Sequence, residues 1–457
     1  MRRFFNIFAV AALLLSLASC KRDGIYEDDV TPPEDIILPA GNYITFYADA
    51  NTRASLLTTN YIEQPFGVYG YKYDFSSTWN GQRAMAVPNV FWNLKGSTKV
   101  PLKVSYNGGI YNYSADGSPS NETGQVNWSS SRYAFWAYYP YEDYSNPYFN
   151  SYFTVSGMEQ EGAPNLTYTV DRGTFGANGD VTTYGSTSNM YDVMTGGISQ
   201  VTAASSGNTV TFTMYHRLSA VDVSISNAYQ HDYQDGGVNY SEDVNIVITD
   251  LKLQFKNLKY DKAKIYLEQD KSIPALNTVL TAPMTSGVLD TEKMYANYNL
   301  IGGGSPDIGA PGATVTVEPT TTTKTNLTAN AGATMTFIPQ ETSDLKVTAY
   351  LEYYMVGATT GKRIGHLRVN DEGEPVNLSG VKTDNPAEYV YDGITEAPAT
   401  GVMGDEFISV TKQTDFNQPL VERTRYFIVL NFTSEAVSIN IITADAWDER
   451  TVDYEFM

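Results

Sequence analysis

Apolar and polar residues alternate along this chain in short bursts with a period of two. In "NYITFYADANTRASL", Ile44, Phe46 and Ala48 alternate with Thr45, Tyr47 and Asp49. Successive side chains on a strand point to opposite faces, so Ile44 to Ala48 reads as a first strand with one apolar face. The same reading places strands at "FGVYGY" (66–71), "RYAFWAYYP" (132–140) and "SYFTV" (151–155). A longer run, "TVTFTMYHRLSAVDVSI" (209–225), changes parity. Phe212, Met214, His216, Leu218 and Ala220 share one face, whereas Val221, Val223 and Ile225 take the other. That switch at Ala220–Val221 predicts a bulge, or a corner where the chain passes between sheets.

The second half offers "VNIVITDLKLQFKNL", "KAKIYLE", "ATMTFIP", "LKVTAYLEYY", "RYFIVLNFT" and "AVSINIITADAW". Between them, "GGGSPDIGAPG" and "PTTTTKTN" have the composition of surface loops. Helix-period patterns are nearly absent and no internal repeat stands out. Short alternating strands between turn clusters predict an all-β chain of sandwiches. Two of comparable size would occupy residues 44–228 and 229–457.

The start of the chain is different. Arg2 and Arg3 precede an apolar run from Ile7 to Ser19, followed by Cys20, the only cysteine in 457 residues. The run is short of the ~20 residues a spanning helix needs, but it suits the apolar region of an export signal. Its Leu-Ala-Ser-Cys end resembles the lipobox of bacterial lipoproteins. The resemblance implies lipid on Cys20, cleavage between Ser19 and Cys20, and the lipoprotein acylation machinery as a partner. Each buried methylene of such an anchor contributes ~0.8 kcal/mol, and two chains hold firmly where one does not. Residues 1–19 are then the signal. Residues 20–43, acidic and Pro-punctuated ("YEDD", "TPPED"), are a lipidated tether. The remainder has no thiol, hence no disulfide, no catalytic cysteine and no thiolate metal site.

Charge narrows the partners. Fifty-one acidic residues against 30 basic ones give a net charge of −21, which repels a phosphate backbone and argues against nucleic acid. Thirty-five tyrosines and five tryptophans leave two uses for the aromatic side chains. They form strand cores and cross-strand pairs, or they form stacking platforms of a glycan-binding surface lipoprotein. Burial separates the two.

"YAFWAYYPY", "NMYDVMTGG", "VTFTMYHRLSAVDVSI" and a closing "RYFIVLNF…INIITADAW" occur in this order behind the lipobox and an early Thr-Arg-Ala. Together they resemble the fimbrillin family, the type V pilins of Bacteroidales-type bacteria. The resemblance covers most of residues 44–457. It implies two tandem transthyretin-like β-sandwiches in a structural or adhesive fimbrial subunit at the outer membrane and cell surface. It also implies a trypsin-like protease cutting after an arginine just past the first strand, here the bond Arg53–Ala54. Loss of Ile44, Phe46 and Ala48 would open a sheet edge above an apolar groove, an acceptor for a strand from another subunit. The terminal "DERTVDYEFM" is a candidate donor, with Val452, Tyr454 and Phe456 on one face. Its other reading is the last strand of its own domain.

Other chemistry is thinly represented. His216 lies on the apolar parity of its strand and reads as a hydrogen-bonded core residue. His231 and His366 lack metal-ligand spacing. Acidic pairs such as Asp28–Asp29 and Asp448–Glu449 read as solvated loops rather than glycosidase or calcium carboxylates. No nucleophile-elbow pattern is present. The expectation is a non-enzyme without cofactor or metal.

Overall fold

The computed structural model describes residues 42–50, 62–79, 87–117, 123–141, 152–159, 161, 164–176, 180–206, 208–235, 237–268, 278–279, 295–320, 324–341, 344–361, 363–364, 408–434 and 436–446. The described chain is an all-β sandwich fold. Strands stand where alternation placed them: Phe66–Tyr73, Arg132–Tyr139, Phe153–Val155, Lys346–Gly357, Thr424–Thr433 and Val437–Ala446. The first strand runs Thr45–Ala50.

The run 209–225 needs a correction. It is two strands, Thr209–His216 and Ser219–Ala228, broken at Arg217 and Leu218 rather than at the parity switch. Every side chain from Ser219 to Ile225 except Ser224 is fully buried, and Ser224 nearly so. With both faces covered, alternation no longer marks a face, which displaced the predicted corner. The break does carry the chain from one sheet to another.

The first sheet has seven strands in the order Thr45–Ala50, Thr209–His216, Met194–Val201, Arg132–Tyr139, Phe66–Tyr73, Leu102–Asn107, Ile110–Asn112. Its first pair is parallel; the others are antiparallel. One face supplies Phe46, Phe66, Tyr133, Phe135 and Phe212 to a first core. The opposite face supplies Tyr69, Tyr71, Trp136 and Tyr138 to a second core shared with the rest of the chain. Arg132–Tyr139 is therefore buried on both sides.

The aromatic rings of that strand lie over glycines. Gly197 pairs with Trp136, and a β-carbon on Gly197 would sit 1.8 Å from the Trp136 Cε3 atom. Gly67 pairs with Tyr138, and a β-carbon there would meet its ring at 2.1 Å. The glycines of "MTGG" and "FGVYGY" thus make room for cross-strand rings.

The second core lies between two further sheets. One holds Ser219–Ala228 between Thr424–Thr433, parallel to it, and the short strands Thr325–Asn326 and Met335–Phe337. The other is built on the 19-residue strand Val238–Lys256 and its antiparallel neighbour Lys346–Gly357. Strand pairing crosses residues 228/229 repeatedly. Asn165–Thr169 pairs with Lys262–Tyr266, and Ser219–Ala228 pairs with Thr424–Thr433.

At the corner between sheets, the buried Arg217 guanidinium lies 2.8 Å from Glu422, and burial lowers its pKa. Nearby, Asp222 is wholly buried. It accepts from Arg425 Nε (2.6 Å), Thr328 Oγ1 (2.8 Å) and Thr334 Oγ1 (2.7 Å). A buried carboxylate needs this many donors to offset its lost hydration.

Candidate assembly site at the first strand

Thr45–Ala50 is an edge strand with a deeply seated face. Ile44, Phe46 and Ala48 are at most 4% exposed, whereas Tyr47 is 41% exposed. The Phe46 ring is surrounded by Tyr113, Phe91, Phe135 and Phe212 at centroid distances of 5.4, 5.7, 5.8 and 5.8 Å. Ala48 pairs in register with Phe212. Burying Ile44 and Phe46 contributes roughly 1.5–3 kcal/mol each before ordering costs.

On its inner side the strand is hydrogen-bonded to the Thr209–His216 strand in parallel, from Thr45↔Thr209 to Ala50↔Met214. Asn208 opens the pairing: its carbonyl accepts the Thr45 N–H at 2.9 Å and the Trp128 indole N–H at 3.3 Å. Its φ of 74° is a left-handed conformation that asparagine tolerates better than most residues.

On the outer side, two tyrosine hydroxyls and isolated backbone bonds stand in for a neighbouring strand. The Tyr113 hydroxyl donates to the Ile44 carbonyl at 2.7 Å and accepts the Val126 N–H at 3.2 Å. The Tyr111 hydroxyl lies 3.0 Å from the Ala48 carbonyl and 2.9 Å from that of Ile62, sharing its proton between them. The Ile44 N–H donates to Val126 O at 2.8 Å. Burial pushes the Tyr113 hydroxyl up to about 12, so it stays a donor through neutral pH.

The chain leaves this strand at Ala50 and is described again from Ile62, which is buried and donates to the Ala48 carbonyl at 3.4 Å. Arg53 and Ala54 fall between these points and lie outside the described residues. So do Ser19, Cys20, Asp28, Asp29, His366, Asp448, Glu449, Val452, Tyr454 and Phe456.

Tyr111 and Tyr113 were missed from sequence. Their signal is the hairpin text "YNGGIYNY", in which an Asn-Gly-Gly turn precedes two same-parity tyrosines. His216 is buried, with Nδ1 against the Asp192 carboxylate. His231 is also buried and pairs in register with Glu242. Among the described residues no group of three or more His, Cys, Asp or Glu side chains is placed to hold a metal ion. Likewise, no described helix is long and apolar enough to cross a membrane. Tyr133, Phe135, Trp136 and Tyr138 of the aromatic-rich strand are all buried, as are Trp79 and Trp128.

No family model matches the chain. No curated protein matches it either. Solved structures do. A fimbrial protein from Bacteroides vulgatus is similar over 88% of this chain and 99% of its own, at 17% identity and a TM-score of 0.47. A protein of Bacteroides uniformis, provisionally named for cell adhesion, covers 89% and 99% at 11% identity and 0.37. A fimbrial assembly protein from Parabacteroides distasonis covers 90% and 100% at 9% identity and 0.29.

Proposed function

We propose that this chain is a structural or adhesive subunit of a surface fimbria, and that its first strand is removed for assembly. The observation that carries the reading is the seat of Thr45–Ala50. It is an edge strand, parallel to the one strand it forms a ladder with, and its apolar face is sunk in an aromatic core. Its removal leaves the outer N–H and C=O groups of Thr209–His216 unpaired above a slot lined by Phe91, Tyr113, Phe135 and Phe212. Such an edge is a template for a strand from another chain.

The other half of the fold supports the contrast. Ser219–Ala228 also pairs in parallel with a later strand, but Thr325–Asn326 and Met335–Phe337 cover its other edge. An internal strand cannot leave without breaking two ladders, and an edge strand breaks one. Two sandwiches dividing near Arg217, where the chain changes sheets, fit this arrangement.

In this reading Cys20 is lipidated after cleavage behind Ser19 and holds the precursor at the outer membrane. A trypsin-like protease cuts Arg53–Ala54 and frees the strand. Val452, Tyr454 and Phe456 are the candidate replacement from a neighbouring subunit. The glycan-binding alternative draws on the aromatic-rich strand, whose Tyr133, Phe135, Trp136 and Tyr138 are buried in the core. Replacing Arg53 by alanine should leave a folded, surface-held monomer and no filaments. Filaments of normal length from that variant would refute the cleavage step, and normal filaments after deletion of Asp453 to Met457 would refute the tail as donor.

A further inference from the structure

The removable-strand reading, on which this rests, leaves open what strand the slot accepts. The native occupant is a template for the answer. Its outer carbonyls at Ile44 and Ala48 are held by the hydroxyls of Tyr113 and Tyr111, four residues apart on the occupant and two apart on the hairpin. Between those contacts, Phe46 fills a site walled by four rings. The next inward site holds Ala48, wholly buried opposite Phe212. The Phe212 ring is itself packed on Phe66, and Phe66 on Tyr111, at 6.2 and 5.6 Å.

We infer that Tyr111, Tyr113 and this large–small pair of sites select the incoming strand. The strand accepted runs parallel to Thr209–His216 and carries an aromatic ring followed, two residues later, by alanine, serine or glycine. The tyrosine hydroxyls bond only backbone carbonyls of the occupant, so these bonds fix direction and register whatever side chains it carries, while the Tyr113 ring is also a wall of the Phe46 site. The ring site and the Ala48 site read the side chains, because a close-packed core resists both a cavity and an added group.

The inference also constrains the tail. Laid over Ile44, Phe46 and Ala48 in order, Val452, Tyr454 and Phe456 place a benzyl ring where Ala48 is buried. Shifted by two residues, Phe456 takes the ring site and Tyr454 lies over Ile44, which satisfies the ring half of the rule and leaves the Ala48 site without a side chain from the candidate segment.

The test uses the full chain nicked by trypsin at Arg53–Ala54, with its strand still seated, and fluorescent peptides offered in exchange. The peptide of residues 41–50 should displace the resident strand. The same peptide with Ala48→Phe should bind ten- to a hundredfold more weakly, and with Phe46→Ala at least about a hundredfold more weakly. Its reversed sequence, which keeps the three apolar side chains on one face, should fail to exchange. Tyr111→Phe and Tyr113→Phe proteins should each hold the native peptide roughly three- to tenfold less tightly. Equal binding of the native, Ala48→Phe and reversed peptides overturns this inference and leaves the removable strand standing. Exchange by none of the peptides overturns both.

Discussion

Replacing Phe46 by alanine isolates the contribution of the first strand to its groove. The ring is 4% exposed and meets four aromatic neighbours within 5.8 Å. Truncating a buried phenylalanine costs ~3–5 kcal/mol, part from lost transfer energy and part from the cavity left behind. If the strand opens from the sheet before the rest unfolds, nearly all of that loss falls on the opening step. Its population should then rise by about two to three and a half decades, at ~1.4 kcal/mol per decade. Hydrogen exchange followed by mass spectrometry reads this directly. Amides of Thr45–Ala50 and Thr209–His216 should lose protection together, while those of Thr424–Thr433 and Val437–Ala446 keep theirs. Tyr47→Ala, on the exposed face, should change the same amides by less than a decade. Uniform loss across the molecule, or no loss at the first strand, would refute the idea that Thr45–Ala50 is a separately removable element held by its ring.

Three further outcomes follow from the packing and charges. Tyr113 ionises near 12 when folded, against an ordinary 10.0, so the folded chain keeps a proton that the unfolded chain releases between those values. Its contribution is complete below pH 10 and is lost as pH rises toward 12, by at most ~1.4 kcal/mol per pH unit. Wild-type denaturation midpoints should therefore fall more steeply across that window than those of Tyr113→Phe, and parallel slopes would contradict it. Gly197→Ala drives a methyl into the Trp136 ring and should cost ~1–3 kcal/mol or more in thermal stability; a change within ~0.5 kcal/mol would show that the strands separate freely there. Arg425→Met leaves the buried Asp222 carboxylate with hydroxyl donors only and should cost ~3–5 kcal/mol in urea, much of it recovered in the double variant Asp222→Leu/Arg425→Met.

Strands with one wet face were legible in the sequence. "NYITFYADA" alternates because Ile44, Phe46 and Ala48 face a core and Tyr47 faces water. Where both faces are covered the period loses its meaning, so the corner at Arg217 was placed three residues late. Pairings such as Asn165–Thr169 with Lys262–Tyr266 join segments nearly a hundred residues apart, and local patterning carries no signal for them. The role of Gly197 follows only once Trp136 is known to lie across from it. At the candidate site, the apolar face of the removable strand could be read directly. The hydroxyls of Tyr111 and Tyr113 could not, because their partners are backbone carbonyls some 50 to 70 residues away.

Assembly by strand replacement requires that the first strand leave the mature subunit. Peptide mass spectrometry of material sheared from the cell surface gives the N-terminal residue. A start at Ala54, with no peptide spanning residues 42–50, is the predicted result. An acylated Cys20 joined through an uncut Arg53 in assembled filaments would contradict it.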